Sequence, residues 1–118
     1  VNGICEDDLD QDREEWRSAE ATYFDSHGGS HCLTILGKPV MESWEAPYMS
    51  ALAAVACQQG GRVLEVGFGL GISARCIDSH SAVEEHVIFE ANDQVLGQAA
   101  LWADTAERHT TVYGGFWQ

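Results

Sequence analysis

The chain has 118 residues, 45% of them hydrophobic, which fits one packed domain of modest size and excludes a wholly disordered chain. Its formal net charge of −13 repels nucleic-acid phosphates and anionic lipid, so we expect neither nucleic acid nor a membrane surface as a partner. A small cationic substrate would be attracted instead, although the same charge could serve solubility alone.

The amino end carries much of this charge, because residues 1–20 hold eight acidic and two basic side chains. Few large apolar residues accompany them, and this composition predicts a solvated, mobile arm ahead of a domain at 21–118. Trp16 is the exception, since a large aromatic side chain has no use in a purely solvated tail.

The next segment, DSHGGSH at residues 25–31, is predicted to be a loop by its glycine and serine content. Its histidines have the HxxxH spacing of a helical zinc site, but Gly28 and Gly29 disfavour a helix there. The remaining histidines, His80, His86 and His109, flank predicted elements without clustering, and the four cysteines show no metal-ligand spacing. We therefore predict no metal site, and thiols without a disulfide pattern favour the reducing cytoplasm.

Residues 37–61 are predicted to be helical in two pieces. Pro39 suits the first position of a helix, where its fixed φ is favourable, and Pro47 forces a break in the run. The second piece has one apolar stripe and ends at Gly60 and Gly61.

From residue 62 onward, strands and helices alternate. Strands are predicted at 62–66, up to Glu90 and at 110–113, with helices at 71–78 and from the N-cap Asn92 to about Glu107. This alternation predicts an α/β fold with a parallel sheet, namely the amino-terminal half of a doubly wound, Rossmann-like sheet. Because its last strand leaves an open apolar edge, we expect an incomplete domain that continues past residue 118.

The turn after the first of these strands contains Gly67, Gly69 and Gly71 in a GxGxG pattern. Alone, this pattern is a weak signal, since tight strand-to-helix turns are common. Glu90 strengthens it, because a carboxylate at the end of the next strand can accept hydrogen bonds from both hydroxyls of an adenosine ribose. The sequence thus predicts a nucleoside-type cofactor at this edge of the sheet.

Two details favour S-adenosylmethionine over NAD as that cofactor. The dinucleotide pattern GxGxxG requires a small third residue where this chain has Ile72, and Glu65 would oppose a dianionic pyrophosphate. A carboxylate can instead hold the ammonium and face the sulfonium of S-adenosylmethionine. The structural alternative is that Glu65 pairs with Arg62 or Arg75 while Glu90 merely caps a turn.

The stretch ILGKPVMESWEAPYM places two methionines and two aromatic residues around Glu42 and Glu45. Such a stripe at helical spacing is more often core than a ligand site. A carboxylate beside Trp44 and Tyr48 is nevertheless a suitable clamp for a planar guanidinium, through paired hydrogen bonds and stacking.

Together with GGRVLEVGFGLGISA and HVIFEANDQV, this stretch resembles the guanidinoacetate N-methyltransferase family, whose members make creatine. The resemblance covers residues 16–117, and its first stretch is the most specific to the family. Protein-arginine δ-N-methyltransferases share a looser form of that stretch and are the alternative. An inactive cofactor-binding fragment is a third possibility.

The resemblance implies S-adenosylmethionine as cofactor and a small guanidino compound as substrate, with Met41 and Glu45 at the substrate and Glu45 as the catalytic residue. The family's second acidic acceptor ligand follows the next strand, beyond residue 118, so the isolated chain is expected to be nearly inactive. The resemblance also implies a set of cofactor contacts that includes the acids and glycines described above: Trp16, Met41, Met49, Glu65, Gly67, Phe68, Gly69, Leu70, Gly71, Ile72, Ser73, Glu90, Ala91, Asn92, Phe116 and Trp117.

Overall fold

The computed structural model describes residues 6–26 and 29–116, which form two three-stranded sheets and the helices packed on them. In this part of the chain, no helix combines the length and apolar character needed to cross a membrane. The elements in chain order are α1 Glu6–Ser18, β1 Ala21–Asp25, β2 His31–Ile35, β3 Lys38–Glu42, a 3₁₀ turn Ser43–Glu45, α2 Ala46–Ala56, β4 Gly61–Val66, α3 Ile72–Asp78, β5 Val83–Glu90, α4 Asp93–Ala103 and β6 His109–Gly114.

The second sheet confirms the predicted α/β fold, since β4, β5 and β6 are parallel and neighbouring in that order. Helices α3 and α4 pack small side chains against Ile88, which is fully buried in the middle strand. On the other sheet face Leu64, Val66 and Tyr113 remain exposed within the described residues. Parallel sheets are normally covered on both faces, so this arrangement is that of half a doubly wound sheet.

The first sheet was not predicted, and the helix expected to begin at Pro39 is wrong. Residues 38–42 are instead β3, paired antiparallel with β2 through a two-residue turn at Leu36 and Gly37. Both turn residues have positive φ, at 54° and 71°, as the tight hairpin turn between twisted strands requires. Pro39 is tolerated because β3 is an edge strand of this sheet.

The predicted loop at 25–31 is the connection between β1 and β2, and its end residues belong to the strands. Asp25 pairs with His31 across the hairpin, with 2.5 Å between Oδ1 and Nδ1. His27 and Gly28 lie outside the described residues. The two sheets share one core, because Leu33 and Ile35 of β2 pack in the same cluster as Ile88 of β5.

The described part of the predicted mobile arm is helix α1, and its carboxyl end is joined to the domain. The Asn92 amide donates from Nδ2 to the carbonyl oxygens of Trp16 at 2.8 Å and Ala19 at 2.9 Å. Arg17 also pairs with Asp93 at 3.1 Å. Trp16 also packs against the core, a contact that a charge count alone cannot show. The domain boundary at residue 20 stays a prediction.

Asn92 also performs the predicted capping of α4, since its Oδ1 accepts from the backbone N–H groups of Gln94 at 3.0 Å and Val95 at 3.1 Å. One fully buried side chain therefore ties the first turn of α4 to the last turn of α1. Helix α4 ends at Ala103, several residues before the predicted end.

We expect Asn92→Ala to lower the free energy of unfolding by about 2 kcal/mol or more, because it removes the cap and leaves two carbonyl oxygens without donors. Asn92→Ser keeps a capping oxygen but lacks the amide donor, so it should lower the free energy of unfolding by an intermediate amount. Urea unfolding followed by tryptophan fluorescence measures both. Gln98→Ala on the exposed side of α4 is the control, and should change stability by less than about 0.5 kcal/mol. Equal stability of Asn92→Ala and the unaltered chain would contradict this role.

Candidate functional site

A cavity of about 550 Å³ opens at the carboxyl ends of β4 and β5, the edge where open α/β sheets bind ligands. Its volume is within the range of small-molecule sites. Side chains from α1, β3 and α2 complete its walls. Ten predicted cofactor residues line it: Trp16, Met41, Met49, Glu65, Gly67, Gly69, Ser73, Glu90, Ala91 and Phe116.

Five other predicted cofactor residues are not among the lining residues of this cavity: Phe68, Leu70, Gly71, Ile72 and Asn92. The Phe68 ring is buried against Trp102, with 5.8 Å between ring centroids, and both polar atoms of the Asn92 amide are used within the fold. Of the turn, Gly67, Gly69 and Ser73 line the cavity, whereas the Phe68 side chain is buried within the fold. Trp117 lies outside the described residues.

The glycine turn approaches the first sheet closely. Gly69 has a φ of 58°, and a Cβ on it would lie 2.7 Å from the Met41 Cε atom. The next residue, Leu70, donates its backbone N–H to the Met41 sulfur at 3.3 Å. Gly67, with a φ of 86°, has open space where a Cβ would stand, so its backbone faces the cavity directly. Gly69 therefore serves the close packing of the turn against Met41, whereas Gly67 leaves the cavity open beside its backbone.

Glu90 holds two turns together beneath the cavity. Its Oε1 accepts from the Phe68 N–H at 2.7 Å, and its Oε2 from the Asn92 N–H at 2.9 Å. Each oxygen of an ionised carboxylate can accept a further hydrogen bond, so this capping leaves acceptor capacity on the cavity side.

Burial, and secondarily the charge of Glu90, raises the pKa of Tyr23.

Glu65 is also buried at the cavity, with 8% of its surface exposed. The arginine pairing considered from the sequence is wrong, because Arg62 pairs with Glu85 and Arg75 donates to the Leu70 carbonyl. The partner is His86, whose Nε2 lies 2.9 Å from Glu65 Oε1. Oε2 has no hydrogen-bond partner within the described structure.

Sequence reasoning missed His86 because it treated the histidines as scattered along the chain. The signal was the period of two in β5, which places residues 86, 88 and 90 on one face of the sheet. In the parallel register His86 lies opposite Val63, so Glu65, two residues on, is its diagonal neighbour on that face.

The charges of the cavity wall are of one sign, because its described residues include Glu65 and Glu90 but no lysine or arginine. A buried carboxylate oxygen without a partner is costly unless a ligand supplies a donor. The residues present therefore fit a ligand that carries a cation and hydroxyl groups, and they oppose a pyrophosphate.

Glu45 does not line this cavity but a neighbouring hollow of about 320 Å³, and Met41 belongs to both walls. Glu45 Oε2 accepts from the Glu42 N–H at 2.9 Å, while the Glu42 carboxylate accepts from the Trp44 indole. Trp44 and Tyr48 are each 66% exposed, so the aromatic residues of this stretch are surface, whereas its methionines line the cavity.

Comparison with known proteins identifies the family and the fold. The family model of guanidinoacetate N-methyltransferase matches residues 6–118. A spermidine synthase in complex with the transition-state analogue AdoDATO aligns with a TM-score of 0.65 at 18% identity, over 83% of this chain and 36% of that one. Spermidine synthase from Thermotoga maritima aligns with a TM-score of 0.64 at 19% identity, over 81% and 37%. This chain thus spans little more than a third of the length of these structures.

We expect Gly69→Ala to destabilise the protein by about 1 kcal/mol or more, because the residue has positive φ and the new Cβ meets Met41. Gly97→Ala in α4 is the matched control, since its Cβ would meet nothing within 4 Å and alanine is favoured in a helix interior. It should stabilise by about 0.5–1 kcal/mol. Urea midpoints measure both, and the same sign of change in the two variants would contradict the close-approach role of Gly69.

Proposed function

The chain belongs to the guanidinoacetate N-methyltransferase family, and from this premise we propose that it binds S-adenosylmethionine for methyl transfer to the guanidino nitrogen of guanidinoacetate. The products are creatine and S-adenosylhomocysteine. The observation that carries the proposal is the cavity itself, whose described wall has two buried carboxylates and no lysine or arginine.

Different residues of the cavity would bind different parts of the methyl donor. Glu65 would accept hydrogen bonds from the ammonium through Oε2, and Glu90 would accept those of the ribose hydroxyls. The open side of Gly67 leaves room for the ligand, and Trp16 and Phe116 offer apolar surface to the adenine. When bound, S-adenosylmethionine supplies a methyl group on a positively charged sulfur.

The acceptor side of the proposal depends on Glu45. A guanidinium is protonated at neutral pH, and its delocalised lone pair makes it a weak nucleophile. Glu45 can orient the group, draw its positive charge to the nitrogens that are not methylated, and accept a proton as the new bond forms. Positioning of two reactants can by itself supply about 7–11 kcal/mol of a bimolecular barrier.

A protein arginine is the second candidate acceptor, because the Glu45 hollow borders the exposed side chain of Trp44. A free guanidino acid and an arginine side chain present the same planar group to a carboxylate. Parallel methyl-transfer assays with guanidinoacetate and an arginine-containing peptide distinguish them, and we expect transfer to guanidinoacetate alone.

We expect the chain to bind S-adenosylhomocysteine at least tenfold more tightly than NAD, because Glu65 and Glu90 attract an ammonium and repel a pyrophosphate. Isothermal titration calorimetry with each ligand at the same salt concentration measures the difference. Equal affinity for the two ligands, or a preference for NAD, would contradict the cofactor assignment.

We expect Glu45→Gln to reduce guanidinoacetate binding and methyl transfer by about tenfold or more while leaving S-adenosylhomocysteine affinity unchanged. A glutamine oxygen can still accept from the Glu42 N–H, so the turn should be preserved. Assays use this chain and any longer product of its gene, with Glu84→Gln on exposed surface as the control. Unaltered turnover in Glu45→Gln would refute the role of Glu45.

A further inference from the structure

The pair formed by Glu65 and His86 is buried at the floor of the cavity, and each partner has one polar atom unused. His86 is fully buried, and its Nε2 contacts Glu65 Oε1 at 2.9 Å. Glu65 Oε2 and His86 Nδ1 have no hydrogen-bond partner within the described residues. The imidazole lies beside Trp102 in a T-shaped arrangement, with ring centroids 6.3 Å apart and planes at 76°.

The contacts of the ring decide which nitrogen carries the proton. An ionised carboxylate oxygen can only accept a hydrogen bond, so the Nε2 atom that contacts it must carry a hydrogen. The neutral ring with hydrogen on Nε2 satisfies the contact to Glu65. His86 is therefore a donor to a carboxylate, and Oε1 is the oxygen that it occupies.

We propose that His86 is a positioning residue for the cofactor site: by holding Oε1 of Glu65, it reserves Oε2 for the ammonium of the ligand's amino-acid half. This inference rests on the proposed function and deepens it. Without the histidine donor, Oε1 would lie buried and unpaired, and the carboxylate would turn to place that oxygen toward donors of water or ligand in the cavity. The directed acceptor at Oε2 would then be lost.

The proposal predicts an effect confined to one end of the ligand. S-adenosylhomocysteine carries the ammonium, whereas 5′-methylthioadenosine has the same adenosine and a thioether but lacks the amino-acid half. We expect His86→Leu to weaken S-adenosylhomocysteine about tenfold and to change 5′-methylthioadenosine affinity by less than about twofold. A residue needed only for folding would affect both ligands alike.

Two further variants keep the test decisive if His86→Leu does not fold. His86→Gln can donate from its amide near the position of Nε2, and should restore S-adenosylhomocysteine affinity to within about threefold of the unaltered chain. Glu65→Gln keeps an acceptor for His86 but removes the charge, and should show the same selective loss as His86→Leu. In the double variant Glu65→Gln, His86→Leu, the two effects should not add.

Calorimetry with both ligands on all of these chains gives the answer. A selective loss of S-adenosylhomocysteine affinity in Glu65→Gln, with rescue by His86→Gln, supports the proposal. The proposal would be overturned if affinity for both ligands fell equally, or if neither Glu65→Gln nor His86→Leu weakened S-adenosylhomocysteine. It would also be overturned if His86→Gln failed to restore S-adenosylhomocysteine affinity. If the unaltered chain binds neither ligand, the proposed function fails first and this inference fails with it.

Discussion

The carboxylate of Glu90 is the contact on which the architecture of the site depends. It accepts one hydrogen bond from an N–H group of the turn after β4 and another from the turn after β5. It therefore fixes the two loops that border the cavity. The second of these N–H groups belongs to Asn92, whose side chain then holds the end of α1 and the start of α4. The Glu90 carboxylate therefore holds Asn92, and Asn92 in turn holds Trp16 in the cavity wall.

The two acids of the cavity are buried by different means, and the difference suits them to the different tasks that we propose for them. Glu90 is stabilised by backbone donors on both oxygens, which makes it rigid and suits it to a fixed hydroxyl pattern. Glu65 is stabilised by one side-chain donor on one oxygen, so its charge is only partly compensated. An incompletely paired carboxylate is costly in the free protein, and the proposed cationic ligand would offset that cost.

The parallel sheet and its cavity edge could be predicted from local patterns. The strand and helix periods, the glycine turn and the Asn92 cap are each decided by residues a few positions apart. The hairpin of β2 and β3 could not be, because its turn places Leu36, a residue that disfavours positive φ, where asparagine or glycine is expected. His86 was missed for a related reason: its pairing with Glu65 depends on the register between strands, which one strand's sequence does not contain.

The proposed reaction brings two positively charged groups together, and the distribution of acids opposes their repulsion. Two unit charges 4 Å apart repel by about 4 kcal/mol at an effective dielectric constant near 20. Glu65 and Glu90 lie in the cavity, and Glu45 in the hollow beyond Met41, so each cation would meet a carboxylate on its own side of that residue. Met41 adds no charge of its own, and the Leu70 N–H holds its sulfur at 3.3 Å. A polar side chain at the position of Met41 would give these acids a competing partner. The apolar side chain leaves the carboxylates available to pair with the two cationic ligands.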